Sequence, residues 1–337
     1  MKRVVIIGIG AQGKKYAKMI SDNLVMGMSL VGVCVRSEDT MLWCKENLPN
    51  IKVYRNEEEL YKDSEAFDIV IITTPHKLHI DSALKAFKYN KAVICEKPLT
   101  TNIADSKRMI KAAGNLPFAV VFHMRAMEQY IWIKNKIDSG ELGSVKRILL
   151  QSSRYFRTKT YHNSSSWRST IAGEGGGALI NQGQHLLDMW QWLFGMPSSI
   201  HASIEVAKYN DFDVEDEATL LMKYEDKTGV FIISTGEPCG NDVLEIVGTR
   251  GRITSIDKNI TFTKYEDSCD YINNSKYTNG ENIKHSIEKI EFNNDENPYI
   301  TLFSNFIKHI EDGEELIADG RTGINAITLC EEGYKFR

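Results

Sequence analysis

Glu96-Lys97-Pro98, the pair Asn181 and His185, and the run Gly8-Ile9-Gly10-Ala11-Gln12-Gly13 are where residue type and spacing could do chemistry in this chain. A lysine normally ionises near a pH of about 10.4. Burial lowers that value, and so does a neighbouring positive charge, so Lys97 could exchange a proton with an alcohol or carbonyl oxygen. Read alone, Glu96-Lys97 is also an ordinary ion pair at a strand end; its place at the carboxyl end of a parallel strand, where open α/β sheets bind ligands, favours function. Asn181 and His185 are four apart at the start of a helix and share one face. A lone helix histidine is otherwise commonly a packing residue.

The glycine run matches GxGxxG directly after a strand and at the mouth of a helix. Gly8 permits the tight turn, Gly10 lets backbone amides approach a pyrophosphate, and Gly13 lets helix and strand pack closely. Ala11 and Gln12, between the glycines, are expected cofactor contacts, and the helix N-terminus stabilises negative charge. The second strand ends Val33-Cys34-Val35-Arg36-Ser37. A carboxylate there would accept hydrogen bonds from the ribose hydroxyls of NAD, whereas Arg36 and Ser37 suit a 2'-phosphate. NADP(H) is therefore the preferred cofactor, with NAD(H) the alternative should Glu38 or Asp39 read the ribose. His76 and His79 have HxxH spacing, but no third ligand accompanies them, and no metal site is expected.

The elements that must hold these residues follow from the pattern of the chain. Short β-branched runs at 4–7, 30–35, 52–54, 69–72, 92–95 and 118–122 alternate with helical patterns such as 13–22 and 79–87, the mark of a doubly wound parallel sheet. That defines an α/β dinucleotide-binding (Rossmann) domain over 1–122. After it come a helix at 127–137, a strand at 145–152, a polar stretch at 154–169, and a helix at 184–194 closed by Gly195 and Pro197. Strands at 201–207, 218–224, 229–235, 242–248 and 252–256 predict a large, mostly antiparallel open sheet, and helices at 299–311 and 322–334 complete an α+β domain over 123–337. The Asn-rich stretch 259–297 gives no readable order. An open sheet would expose an apolar face, which a homodimer or homotetramer would bury.

With 337 residues, 42% hydrophobic and 26% charged, the chain can bury two cores and is not generally disordered. Forty-one basic residues against 45 acidic leave a net charge of -4, so no global positive field draws nucleic acid or anionic lipid. No apolar run is long enough to span a membrane, and no signal peptide is evident; a cytoplasmic location is expected. The six cysteines show no CxxC pair and read as reduced, mostly buried thiols.

Thr73-Thr74-Pro75-His76-Lys77-Leu78-His79 and Glu96-Lys97-Pro98 resemble the TPxxxH and EKP motifs of the glucose-fructose oxidoreductase, inositol dehydrogenase and rhizopine-catabolism (Gfo/Idh/MocA) family. Trp167-Arg168, Gly175-Gly176-Gly177, Asn181 to Asp188 and Gly248-Thr249-Arg250-Gly251 resemble its WR, GGG, DxxxHxxD and GTxG segments, in order and over nearly the whole chain. The resemblance implies hydride transfer between a nicotinamide and a secondary alcohol or ketone of a sugar, cyclitol or nucleotide sugar. It implies Lys97 and His185 as proton-handling groups and Thr73, Thr74, Pro75, His76, His79, Glu96, Trp167 and Arg168 as cofactor contacts. Substrate contacts would be Lys97, Arg125, Tyr155, Asn181, Gln182 and His185, with Arg154 and Tyr161 further candidates in the polar stretch. Arg125 reads equally as an interdomain salt bridge. The chain departs from the pattern at Asn181, where many members carry Asp; an amide is no general base, so Asn181 would hold a hydroxyl while Lys97 and His185 move the proton. The rivals are a regulatory protein that binds dinucleotide without turnover and an NAD-using glycosidase-like enzyme.

Overall fold

Six runs rich in Val and Ile form one parallel sheet in the computed structural model of the chain, which describes residues 1–165, 168–257, 259–276, 283–292 and 296–337. They are β1 (Lys2–Ile7), β2 (Met28–Cys34), β3 (Lys52–Tyr54), β4 (Ile69–Ile72), β5 (Ala92–Cys95) and β6 (Phe118–Val120). Their order is β3-β2-β1-β4-β5-β6, all neighbours parallel. The winding reverses between β1 and β4, and the carboxyl ends at that reversal form the crevice in which such sheets bind ligands. Both faces are covered, which is why the central strands read as continuous apolar runs rather than alternating ones. Val5, Ile7, Val70, Ile72 and Val93 share a core with Ile80, Ala83 and Phe87 of the helix His79–Lys88. All six expected strands are present, their ends shifted by up to two residues.

The chain divides into two compact units, one of residues 1–126, 173–175 and 295–328, the other of 127–172, 176–294 and 329–337. A single cut after residue 122 therefore misses a return of the chain to the first unit. The cause is local. Helix Pro298–Asp312 buries Leu302, Phe303, Phe306 and Ile307, and the Phe303 ring packs edge-on against Tyr16 at 5.1 Å. Beyond it, Ala119 and Asp319 form a bridge and Val120 N–H donates to the Ala318 carbonyl at 3.1 Å, covering the otherwise open edge of β6.

The second unit is built on β7 (Val145–Ser152), β8 (Ser199–Val206), β9 (Glu215–Lys223), β10 (Thr228–Ser234), β11 (Asp242–Gly248), β12 (Gly251–Ile256), β13 (Asn259–Tyr265) and β14 (His285–Ile290). Their order is β14-β13-β12-β11-β7-β10-β9-β8, antiparallel except for the β7–β10 pair. β13, β14 and a short helix, Cys269–Asn273, occupy the stretch whose order the sequence left unread. Ile148, Leu150, Phe231 and Ile246 are buried on one face, together with Trp190 of the helix Gly183–Phe194. Leu221, Ile256 and Ile287 stay 49%, 47% and 63% exposed. Among the described residues no helix is long and apolar enough to cross a membrane.

Candidate functional site

In the first unit the glycine run leaves β1 and enters the helix Ala11–Ser21. Gly8 has a φ of +91°, a conformation that favours glycine, and Thr73 at the end of β4 donates its hydroxyl to the Gly8 carbonyl. No side chain caps this helix: Gly10 is its N-cap, so its first amides are available to a ligand. A Cβ built on Gly10 meets nothing within 4 Å, whereas one on Gly13 would lie 2.3 Å from the Gly8 carbonyl oxygen. Thr74 carries a buried hydroxyl without a hydrogen-bond partner. An open cradle, uncapped amides and an orphaned hydroxyl at the crevice together fit a dinucleotide pyrophosphate.

Arg36 is exposed just after β2. Ser37 caps the helix Glu38–Asn47, its Oγ accepting from Thr40 N–H at 3.3 Å. His79 is fully buried, with Nδ1 2.8 Å from the Pro98 carbonyl oxygen and Nε2 2.9 Å from that of Thr74, and burial pushes its pKa down. Expected as a cofactor contact, its ring has no edge left for a ligand and instead ties the Thr74 loop to the Glu96-Lys97-Pro98 loop. His76 is buried, 3.3 Å from the Glu174 carbonyl oxygen. Arg125 is 5% exposed and donates to the Ile317 carbonyl at 3.3 Å and the Thr322 hydroxyl at 3.1 Å. Those contacts hold the returning segment, a role the substrate-contact expectation did not include.

Glu96, buried at the end of β5, accepts from the Tyr16 hydroxyl with one carboxylate oxygen and from Lys97 N–H, at 2.9 Å, with the other. Burial pushes its carboxyl up, opposed by the Tyr16 hydrogen bond and the charges of Lys97 and Lys15. Lys15 lies 3.6 Å over the Tyr299 ring, on whose plane His123 stacks at 4.8 Å. Burial, then Lys97 and Lys15, push His123 down to about 4, so it is neutral at pH 7. Tyr16 thus links the pyrophosphate helix to the backbone of Lys97, a connection that a tyrosine three residues past Gly13 does not announce in sequence. Tyr16→Phe is expected to destabilise the protein by about 1–3 kcal/mol, because it strips a buried carboxyl acceptor of its donor. Denaturant unfolding measures this, and a change below about 0.5 kcal/mol would mean that Glu96 does not depend on the phenol.

In the second unit the meeting point is Tyr161. Thr158 caps the short helix Lys159–His162, its Oγ1 accepting from Tyr161 N–H at 3.2 Å. The Tyr161 hydroxyl oxygen accepts from Arg168 Nη1 at 2.5 Å, Asn181 Nδ2 at 3.2 Å and Gln182 Nε2 at 3.4 Å. The guanidinium groups of Arg157 and Arg168 lie 4.1 and 4.4 Å from the centre of its ring. Asn181 ends the helix Ala178–Asn181, and Gln182 keeps helical angles (φ -77°, ψ -40°) into Gly183–Phe194. The four-residue spacing of Asn181 and His185 therefore survives the join.

The glycine segment before these helices is anchored by Glu215, which sequence reasoning missed. Its buried carboxylate accepts from Gly177 N–H at 2.9 Å, Leu179 N–H at 3.0 Å and the Tyr334 hydroxyl at 2.7 Å. Burial pushes this carboxyl up against those bonds. A Cβ on Gly177 would lie 2.0 Å from the Glu215 carbonyl oxygen, so only glycine fits. The available signal was an acid at the start of an apolar, alternating strand. Arg154 pairs with Asp242 at 2.8 Å and Asp257 at 3.7 Å. Tyr155 is 48% exposed. Trp167 lies outside the described residues.

A model of an oxidoreductase family with an NAD-binding Rossmann fold (GFO/IDH/MocA) matches residues 2–121, and the GFO/IDH/MocA C-terminal domain matches 130–254. An uncharacterized oxidoreductase of Schizosaccharomyces pombe is 30% identical over 64% of this chain, and the match spans 60% of that protein's length. The scyllo-inositol 2-dehydrogenase (NADP(+)) of Bacillus subtilis is 25% identical over 98% of this chain and 92% of its own. Among solved structures, the WlbA dehydrogenase of Bordetella pertussis in complex with NADH and UDP-GlcNAcA superposes with a TM-score of 0.82 at 19% identity, covering 99% of this chain and 96% of that one. That likeness speaks for the fold.

Proposed function

The chain belongs to the Gfo/Idh/MocA oxidoreductase family, and from that premise we propose that it is an NADP(H)-preferring dehydrogenase or reductase acting on a secondary alcohol or ketone of a sugar, cyclitol or nucleotide-linked sugar. One observation carries the reading. At the reversal point of the parallel sheet, an uncapped glycine-rich helix start shares a unit with a lysine whose preceding carboxylate is anchored through both oxygens. The dinucleotide, when bound, supplies or accepts the hydride. Backbone amides at Gly10 to Gly13 hold its pyrophosphate, and Thr73, Thr74, Pro75 and His76 line its path. Lys97 gives a proton to the substrate oxygen in reduction and takes it in oxidation, with His185 as proton partner. Asn181 and Gln182 orient the hydroxyls, and Arg168 approaches the nicotinamide end.

The preference for NADP(H) rests on Arg36, which makes no ion pair among the described residues and so has its fork available for a 2'-phosphate. The NADP(+) in the name of the Bacillus subtilis relative agrees with it; the NADH of the Bordetella structure keeps NAD(H) as the alternative. A homodimer or homotetramer that covers Leu221, Ile256 and Ile287 belongs to the same reading.

Nicotinamide fluorescence during separate titrations with NADPH and NADH tests it. NADPH should bind at least about tenfold tighter than NADH, the order of one charge-assisted fork, and Arg36→Ala should erase the difference. Tighter NADH binding would refute the Arg36 argument, and binding of neither would refute the oxidoreductase reading.

A further inference from the structure

Arg157 is the one feature of the Tyr161 cluster for which hydride transfer to a neutral sugar has no use. Its backbone N–H donates to the Thr235 carbonyl at 2.9 Å, which fixes where the side chain starts. Its guanidinium lies 4.1 Å over the Tyr161 ring and 5.5 Å from the Tyr155 ring. Its Nε is buried without a hydrogen-bond partner, and among the described residues the side chain makes no ion pair. Two carboxylates of this region are already engaged. Asp216, whose charge reaches His162 as does that of Arg157, accepts from Lys208 N–H at 3.2 Å, Tyr209 N–H at 2.7 Å, Asn210 N–H at 3.0 Å and Asn210 Nδ2 at 3.4 Å. Asp211 pairs with Lys159 at 2.8 Å.

A half-buried guanidinium over an aromatic ring, with an unpartnered Nε–H and no ion pair among the described residues, is suited to receive an anion. The ring it lies on carries the hydroxyl to which Asn181 and Gln182 donate. The reading of those two as substrate-binding residues is what this inference rests on. We propose that Arg157 is the receptor for an anionic substituent of the substrate, a carboxylate or a phosphate, so that sugar acids or sugar phosphates are preferred over neutral sugars and cyclitols. The planar fork suits either group, since both offer two coplanar oxygens.

Calorimetric titration of the apo and NADPH-saturated protein with D-glucuronate, D-galacturonate and D-glucose 6-phosphate, against D-glucose, D-galactose and myo-inositol, tests the proposal. At least one anionic probe should bind about tenfold or more tighter than its neutral parent, the scale of a charge-assisted pair. The uronate and phosphate arms tell the two groups apart. Arg157→Gln should level the anionic and neutral probes while leaving NADPH affinity unchanged, and raised salt should weaken the anionic probes alone in the unmutated protein. Equal binding of anionic and neutral probes, binding of none, or a preference that persists in Arg157→Gln would overturn it. Failure of NADPH to bind would instead count against the oxidoreductase reading, and the apo titration would still decide the anion site.

Discussion

Lys97→Met is expected to lower kcat by about three orders of magnitude, within the range that a positioned general acid or base contributes, while NADPH affinity stays within about twofold. Methionine keeps the apolar stem of the lysine and removes the ammonium. The backbone at this position is held independently of the side chain, since Lys97 N–H donates to Glu96 at 2.9 Å and Glu96 is in turn held by Tyr16. The variant should therefore fold and bind cofactor, and the loss should fall on kcat rather than on the Kd for NADPH. Steady-state NADPH oxidation with a substrate found by screening, together with fluorescence titration of the same variant, separates the two. His185→Ala should cost less, about ten- to a hundredfold, if it is the proton partner rather than the group at the reacting oxygen. A Lys97→Met enzyme within about threefold of the parent would move the proton transfer to another residue.

The first unit was legible because its signals are local. GxGxxG follows β1 directly, and Glu96-Lys97-Pro98 follows a strand whose four residues are all buried. Parallel order then places both at the carboxyl edge of the sheet, the glycine run at the reversal between β1 and β4 and Glu96-Lys97-Pro98 at the end of β5 beside β4, without knowledge of any long-range contact. What escaped depends on contacts between distant residues. Tyr16 and Glu96 are 80 residues apart. Glu215 reaches Gly177 across 38 positions and Tyr334 across 119. The family resemblance implies Arg125 as a substrate contact, and the residue itself reads equally as an interdomain salt bridge. The structure spends it on Ile317 and Thr322, in a segment whose return to the first unit no pattern before residue 298 foretells. Asn181 and His185 were read correctly as helix neighbours. The link of Asn181 and Gln182 to Arg168 through one phenolic oxygen was not readable, because Tyr161 sits in a polar stretch where spacing carries no period.

Gly10→Ala and Gly13→Ala are expected to fail in different ways, and the contrast isolates the ligand from the fold. At Gly13 the new methyl would stand 2.3 Å from the Gly8 carbonyl oxygen and 2.7 Å from Thr73 Oγ1. Neither can yield cheaply: Gly8 is fixed by its N–H donating to Cys34 at 2.9 Å, and Thr73 by its N–H donating to Ile7 at 2.9 Å. The helix must back away from β1, so Gly13→Ala should lower stability by about 1–3 kcal/mol, the usual cost of overpacking, as well as weaken NADPH binding. At Gly10 the methyl meets nothing of the protein within 4 Å, and the backbone there has a negative φ of -78° that alanine adopts freely. Gly10→Ala should leave the unfolding midpoint where it is, yet reduce NADPH affinity by about a hundredfold, since the methyl occupies the space through which the pyrophosphate approaches the helix amides. Thermal unfolding of the apo proteins and NADPH titration of each give the comparison. Undiminished NADPH binding in Gly10→Ala would mean that the open space over Gly10 is not where the phosphates sit, and the uncapped helix start would lose its assigned ligand.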